Sequence, residues 1–279
     1  MGRPFTIISP TMIPTNIKAL ILDMDGVLWK DDQPIGDLPA IFNRIRRSGL
    51  TVVFATNNGS HTPDQYVERL AGFGVQVEAC QVVTSSLGVA YLLSQKFPSG
   101  GSVFAIGEEG VMAALRENGF KPLSLEDAHM AQAVIIGFDH WISFDKMREA
   151  TLLVRRGIPF FATNPDKTFP TPRGEIPGAG AWNSVVVTAT GIEPIYAGKP
   201  FPYLLELALK RLGTKKEDTL VVGDRLETDI AGGQSAGFPV AMVLSGVSSQ
   251  VAADAWIPKV DIIAKDLASL VELNSKTFI

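Results

Sequence analysis

Short aliphatic runs alternate with longer stretches in which apolar residues recur every three or four positions, and this alternation fills most of the 279-residue chain. The runs "ALILDM", "TVVFATN" and "QVVTSS" have the length and β-branched content of strands buried on both faces. Between them, "LPAIFNRIRRSG" and "DQYVERLAGFG" carry the helical period and end in glycine. After residue 86 the alternation restarts, with "SVFAIG", "AVIIGF" and "PFFATNPD" as strands and "GVMAALRENG" and "SFDKMREATLLVRRG" as helices. A Gly- and Pro-rich passage, "FPTPRGEIPGAGAWN", follows. A third block holds the strands "PIYAG", "TLVVGD" and "PVAMVLSG" and the helices "YLLELALKRLG" and "TDIAGGQSAG". The rhythm predicts an α/β fold in which a parallel sheet is wrapped by crossover helices.

The tripeptide "ATN" occurs at Ala55 to Asn57 and again at Ala162 to Asn164, each time after an apolar strand. It is either a weak internal repeat of one strand-to-loop unit or two similar buried strands ending in ordinary polar turns.

An apolar content of 46% supplies a sizeable core without staples. The net charge of -4 and the lack of any long basic run exclude an electrostatic nucleic-acid binder, while small anionic ligands remain compatible with a locally positive pocket. Cys80 is the only cysteine, so no internal disulfide forms, and a reducing, cytoplasmic home is expected. Its expected role is that of a small buried apolar residue. The opening "MGRPFTIISPTMIPTN" has only short apolar pieces broken by Pro4, Pro10 and Pro14, so it reads as an extended lead-in, neither signal peptide nor membrane span.

Candidate chemistry begins at "KALILDMDGVLWKDD", where the run Ala19 to Leu22 ends in Asp23 and Asp25. Strand alternation lets these two carboxylates share one side while Met24 turns away. Burying like charges together is tolerable when a cation neutralises them or one stays protonated. Gly26 lets the backbone turn sharply there, and the ends of parallel strands are where ligand crevices lie. Three further segments deliver polar groups to predicted strand ends. They are Thr56 with Asn57 and Asn58 in "VVFATNN", Lys199 in "IYAGKP", and Asp224 and Asp229 in "TLVVGDRLETDIAGG". Each alone also suits a helix cap or a solvated charge. Together, four aspartates, a hydroxyl and a lysine can hold a divalent cation and a phosphate at once, and an oxygen-only ligand set suits Mg²⁺. His61, His129 and His140 show no zinc spacing and are expected at the surface or in packing roles.

The order DxDG, strand-end Thr, Lys, then GDxxxxD resembles the haloacid dehalogenase superfamily of phosphatases. The strings "DMDGVLW", "FATNNGS", "GFD", "TNPD" followed by "PGAGA", "GKP" and "GDRLETDI" are similar to its branch of NagD and p-nitrophenyl-phosphatase-like enzymes, over roughly residues 17 to 250. The resemblance implies a Rossmann-like core, residues 1–86 and 193–279, interrupted by an α/β cap over 87–192 that sets substrate specificity. It implies Asp23 as nucleophile and Asp25 as general acid and base. It also implies Mg²⁺ held by Asp23, the backbone carbonyl of Asp25, and Asp224, with Asp229 ordering a metal-bound water or bracing Lys199. Thr56, Lys199 and backbone N–H groups near Met24, Asp25 and Asn57 would bind phosphate. The implied partner is a small phosphorylated metabolite, with no nucleic acid and no membrane, and family members often form homodimers through the cap. None of the six positions departs from the family pattern. His140 and Trp141, in the cap's "IIGFDHWISFDKMREA", are either substrate-facing or ordinary surface and packing residues. Two alternatives are a phosphotransferase or mutase using the same aspartyl-phosphate, and a phosphate-ligand-binding regulatory protein without turnover.

Overall fold

The computed structural model describes residues 13–272 except Pro172, so most of the lead-in lies outside the described residues. Two parallel sheets organise the chain. The first has six strands in the spatial order Ile262–Ala264, Val240–Val243, Thr219–Gly223, Ala19–Leu22, Thr51–Thr56 and Val82–Thr84. All neighbouring pairs are parallel, and Ala19 sits opposite both Thr219 and Thr51. The strand order reverses at Ala19–Leu22, so the crevice beyond its carboxyl end is the expected ligand position of a doubly wound sheet.

Strand alternation sorts the side chains into two apolar layers. Leu20, Leu22, Val52, Phe54, Leu220 and Val222 pack on one face of the sheet, and Ile21, Val53, Ala55, Val221, Val240 and Met242 on the other. Burial on both faces explains why these strands read as continuous hydrophobic runs. Each fully buried aliphatic side chain contributes about 1.5–3 kcal/mol. The helix Leu38–Arg47 shows how the covering layer is specified. Asp37 caps it by accepting from Ala40 N–H at 3.0 Å, and Leu38, Ile41, Phe42 and Ile45 form its buried stripe.

The second sheet has five parallel strands in the order Ile195–Tyr196, Phe160–Ala162, Val134–Ile136, Gly101–Ile106 and Phe120–Pro122. It too has a layer on each face, with Val103, Ala105, Ile135 and Phe161 in one and Phe104, Ile106, Val134 and Ile136 in the other. The segment "PIYAG", read from sequence with the third block, is hydrogen-bonded to this second sheet. The helix Ser85–Lys96 joins the two units, because its Leu87 and Ala90 pack with Ala114 of the second unit and Leu207 of the first.

The Gly- and Pro-rich passage contains a hairpin, Thr168–Thr171 with Gly174–Pro177, and leads into the helix Ala179–Thr190. Cys80 departs from expectation. It is exposed in the turn Ala79–Gln81, with its thiol 3.5 Å from Glu78, because the chain turns inward only at Val82. His129 and His140 are exposed, as expected, and Trp141 is 82% exposed. Among the described residues no helix is long and apolar enough to cross a membrane.

Candidate active site

A cavity of about 460 Å³ opens between the carboxyl ends of the first sheet and the second unit, lined by Asp23, Asp25, Thr56, Asn57, Lys199, Asp224 and Asp229 among others. Every site residue expected from the sequence therefore reaches one space. Asp23 directly follows Ala19–Leu22, and its N–H still pairs with Val222 O at 2.9 Å, so the sheet itself fixes its position. Met24 is fully buried, as the alternation requires. Asp25 then lies at the edge of a tight turn closed by Gly26 N–H donating to Trp29 O at 2.7 Å.

Lys199 is only 2% exposed and is the hub of the site. Its ammonium donates to Asp23 Oδ1 at 2.6 Å and to Ala55 O at 2.7 Å. It also lies 2.6 Å from Asp229 Oδ1, an ion pair without the alignment of a hydrogen bond. Burial favours loss of the proton, but Asp229 and Asp23 outweigh it and hold the lysine above its ordinary pKa. Lys199 arrives on the connection returning from the second sheet rather than from the end of a first-sheet strand. Asn57 fixes that connection, with Oδ1 accepting from Lys199 N–H and Nδ2 donating to Lys199 O, both at 2.8 Å.

Carboxylate oxygens of Asp23, Asp224 and Asp229 lie within 4.8 Å of one another. Burial pushes the Asp23 carboxyl well above its ordinary pKa. Lys199 opposes that shift, while Asp229 and Asp224 add to it. Burial, then Asp229, pushes Asp224 up to about 6. Burial raises Asp25 as well, against the hydrogen bond from Trp29. Among the described residues Lys199 is the one cationic side chain hydrogen-bonded or ion-paired to these four acids. The cluster thus carries a surplus of negative charge that a bound cation would offset.

The surroundings leave room for such an ion. Gly26 adopts φ +80°, and a Cβ there would come within 2.5 Å of Asp224 Oδ2. A Cβ at Gly246 would come within 1.9 Å of the same atom. Asp224 Oδ2 accepts from Val247 N–H at 2.7 Å, whereas Asp224 Oδ1 and Asp23 Oδ2 take no hydrogen bond from the described residues. Asp229 is committed differently, to Lys199 and to Arg225 N–H at 3.1 Å, which favours the bracing role over direct ligation. Thr56 is 2% exposed, and its hydroxyl oxygen accepts from Asn58 N–H at 3.0 Å, leaving its proton to donate.

Three features were not anticipated. Asp166, from the second unit, accepts from Asn57 Nδ2 at 3.1 Å across the junction. Asn164 donates to Asn57 O at 2.7 Å, so the two "ATN" segments touch. Phe138 and Phe169 stack at 4.7 Å and 22° along the cavity wall that the second unit supplies. The repeated tripeptide was the available signal for the Asn164 contact.

The chain as a whole resembles known proteins. Residues 20–121 match the model for haloacid dehalogenase-like hydrolases, and residues 196–270 match a second hydrolase model of the same kind. The chain is 34% identical over 233 residues to the 5'-nucleotidase YutF of Bacillus subtilis, covering 84% of this chain and 89% of that one. Its fold matches NagD of E. coli K-12 with a TM-score of 0.83 at 32% identity, covering 90% and 97% of the two chains. A glycerol phosphate phosphatase from Mycobacterium tuberculosis, solved in complex with magnesium, matches with a TM-score of 0.85 at 35% identity, over 92% of this chain and 77% of that one. The chain belongs to the haloacid dehalogenase-like hydrolases, in their NagD and p-nitrophenyl phosphatase branch, with the second sheet as the inserted cap. It is an enzyme, a phosphatase.

Proposed function

We propose that the chain hydrolyses a small phosphorylated metabolite, a phosphomonoester, through an aspartyl-phosphate on Asp23, and that it requires Mg²⁺. The observation that carries this reading is the surplus of buried carboxylate around Lys199, with Asp23 Oδ2 and Asp224 Oδ1 left unpaired on the cavity side. Asp23, Asp224 and the backbone carbonyl of Asp25 would hold the ion, and the similar glycerol phosphate phosphatase solved in complex with magnesium supports the choice of metal. When bound, the ion neutralises phosphoryl charge and keeps Asp23 ionised.

In the first step an Asp23 oxygen attacks phosphorus and the bond from phosphorus to the ester oxygen breaks. The departing oxygen takes the proton of Asp25 and leaves as an alcohol. In the second step water attacks the same phosphorus and gives a proton to Asp25. The bond to Asp23 then breaks, releasing inorganic phosphate and restoring both side chains. Lys199, Thr56 and backbone N–H groups near Met24, Asp25 and Asn57 bind the phosphoryl oxygens, stabilising charge in a site shielded from water. The paired aspartates thus need opposite protonation states, which their different partners support. Asp23 faces an ammonium, Asp25 an indole. The cap, over about 87–192 and extended by the strand Ile195–Tyr196, supplies the wall that meets the leaving group.

The test is hydrolysis of p-nitrophenyl phosphate by the purified chain. Turnover should need Mg²⁺, vanish on exhaustive chelation and return on adding Mg²⁺ back. Ca²⁺ should inhibit, because its looser shell draws both oxygens of Asp23 onto the metal. Undiminished activity after chelation would overturn the metal assignment. A panel of phosphorylated metabolites, assayed with and without added alcohols, identifies the substrate and separates hydrolysis from phosphoryl transfer.

A further inference from the structure

Asp25 has one side-chain partner from the described residues, and it is an unusual one. Trp29 Nε1 donates to Asp25 Oδ1 at 2.8 Å. The indole is completely buried and gripped from several directions. It stacks on Tyr66 at 6.5 Å and 11°, meets Phe73 at 5.8 Å, and carries the Arg69 guanidinium 4.3 Å from its ring centre. Its backbone closes the turn that bears Asp25, through Trp29 O with Gly26 N–H at 2.7 Å and Trp29 N–H with Met24 O at 3.4 Å. Tyr66 and Arg69 come from the helix Pro63–Gly72, whose start is locked by a reciprocal cap between Thr62 and Gln65.

The chemistry of this contact is asymmetric. An indole N–H can donate but cannot accept. While the bond stands, Asp25 Oδ1 must be an acceptor, so a proton held by this carboxyl sits on Oδ2. Terminal carboxyl rotation is otherwise broad and roughly two-fold, and a general acid works only with its proton within hydrogen-bond reach of the leaving oxygen. We propose that Trp29 is the positioning residue of the acid–base carboxyl: its indole N–H pins Oδ1 of Asp25 and leaves Oδ2 as the oxygen that exchanges the proton with leaving group and water. The inference rests on Asp25 being the acid–base group of the reaction set out above.

The test compares phenyl phosphate with p-nitrophenyl phosphate, two esters of similar shape whose leaving groups differ in their need for a proton. Trp29→Phe keeps an aromatic ring in the stack and removes the donor. Its kcat/KM should fall about tenfold or more on phenyl phosphate and by a clearly smaller factor on the nitro ester. Steady-state kcat on the nitro ester should fall too, with a burst of nitrophenol, because hydrolysis of the aspartyl-phosphate needs the same carboxyl as base. An equal loss on both esters in a folded variant, or no loss on either, would overturn the inference. A second readout needs no change at Trp29. The indole N–H proton resonance of Trp29 should move upfield when Asp25 is replaced by Ala, and a resonance that stays in place would also overturn it. Asp25→Asn separates the two levels. If that variant keeps the wild-type dependence on leaving group, the acid–base assignment fails and this inference with it. If that dependence steepens in Asp25→Asn while it does not in Trp29→Phe, only the role of Trp29 is wrong.

Discussion

The two parallel sheets end in similar residues and put them to different use. At the carboxyl end of the first stand Asp23 with Lys199, and Thr56 with Asn57. At the same end of the cap sheet stand Asp139 with Lys146, and Thr163 with Asn164. The cap set is closed. Asp139 accepts from Trp141 N–H at 2.7 Å and from Lys146 Nζ at 2.6 Å, and that ammonium also donates to Trp141 O at 2.9 Å. One carboxylate meets one ammonium, and both oxygens of the acid are paired. In the core, one lysine serves four acids by pairing with only two of them, Asp23 and Asp229, and Asp23 Oδ2, Asp224 Oδ1 and Asp25 Oδ2 take no hydrogen bond from the described residues. Buried aspartates alone therefore do not mark chemistry. The unbalanced set does, because its cost is offset only when something else binds.

The sharpest way to break this comparison is Asp23→Asn, which removes the proposed nucleophile at nearly constant shape. The rate on p-nitrophenyl phosphate should drop by about four orders of magnitude or more. In metal-free buffer the melting temperature should rise, since one clustered negative charge disappears. A variant that keeps more than a trace of activity would remove Asp23 from the reaction.

Next in size is the matched pair Asn57→Ala and Asn164→Ala. Losing Asn57 frees the Lys199 backbone on both its N–H and its carbonyl, and a misplaced ammonium should cost about a hundredfold in kcat. Asn164 holds Asn57 O and Asp166 N–H, so its loss should show in the melt, by about 1–3 kcal/mol, more than in turnover. Equal kinetic losses would mean that both "ATN" ends serve the reaction.

The smallest effect belongs to the closed set. Lys146→Met leaves Asp139 with the Trp141 N–H alone and should cost about 1–2 kcal/mol of stability, below the usual loss for a fully buried pair because Lys146 is partly exposed. Turnover of p-nitrophenyl phosphate should stay within about twofold of wild type. A kinetic loss as large as that of Asn57→Ala would erase the distinction between the two sheet ends.

The alternation of aliphatic runs and helical stretches was enough to read both sheets, because strands buried on two faces leave an unmistakable pattern. Asp23, Asp25, Thr56, Lys199 and Asp224 were legible for a related reason: their residue types are unusual directly after such runs. The helix Ala179–Thr190 was not. Its "AGAWNSVVVTAT" carries a glycine and five β-branched residues, and packing of Val186 with Trp182 and Val187 against the cap sheet overrides that weak propensity. The hairpin before it is short, contains Pro170 and Pro177, and pairs only with itself. Asp166 was invisible because its meaning lies in a contact with Asn57, 109 residues away. Trp29 lies four residues from Asp25, yet its sequence reads as one more core aromatic.

The pairing of Ala19 with Thr219 bears on the order in which a growing chain can assemble itself. Thr51 lies 51 − 19 = 32 residues from Ala19, whereas Thr219 lies 219 − 19 = 200 residues from it. Closing the longer loop from an open chain costs roughly 1.5 kcal/mol more in entropy. The cap strands, from Gly101 to Tyr196, emerge before that partner does and can draw the ends of the longer loop together once they pair. On a ribosome, Asp23 and Asp25 would be exposed long before Asp224 and Asp229 existed to complete the site. Phosphatase activity then appears only when synthesis has passed the second half of the core, so truncated chains are left with the two carboxylates and no enzyme.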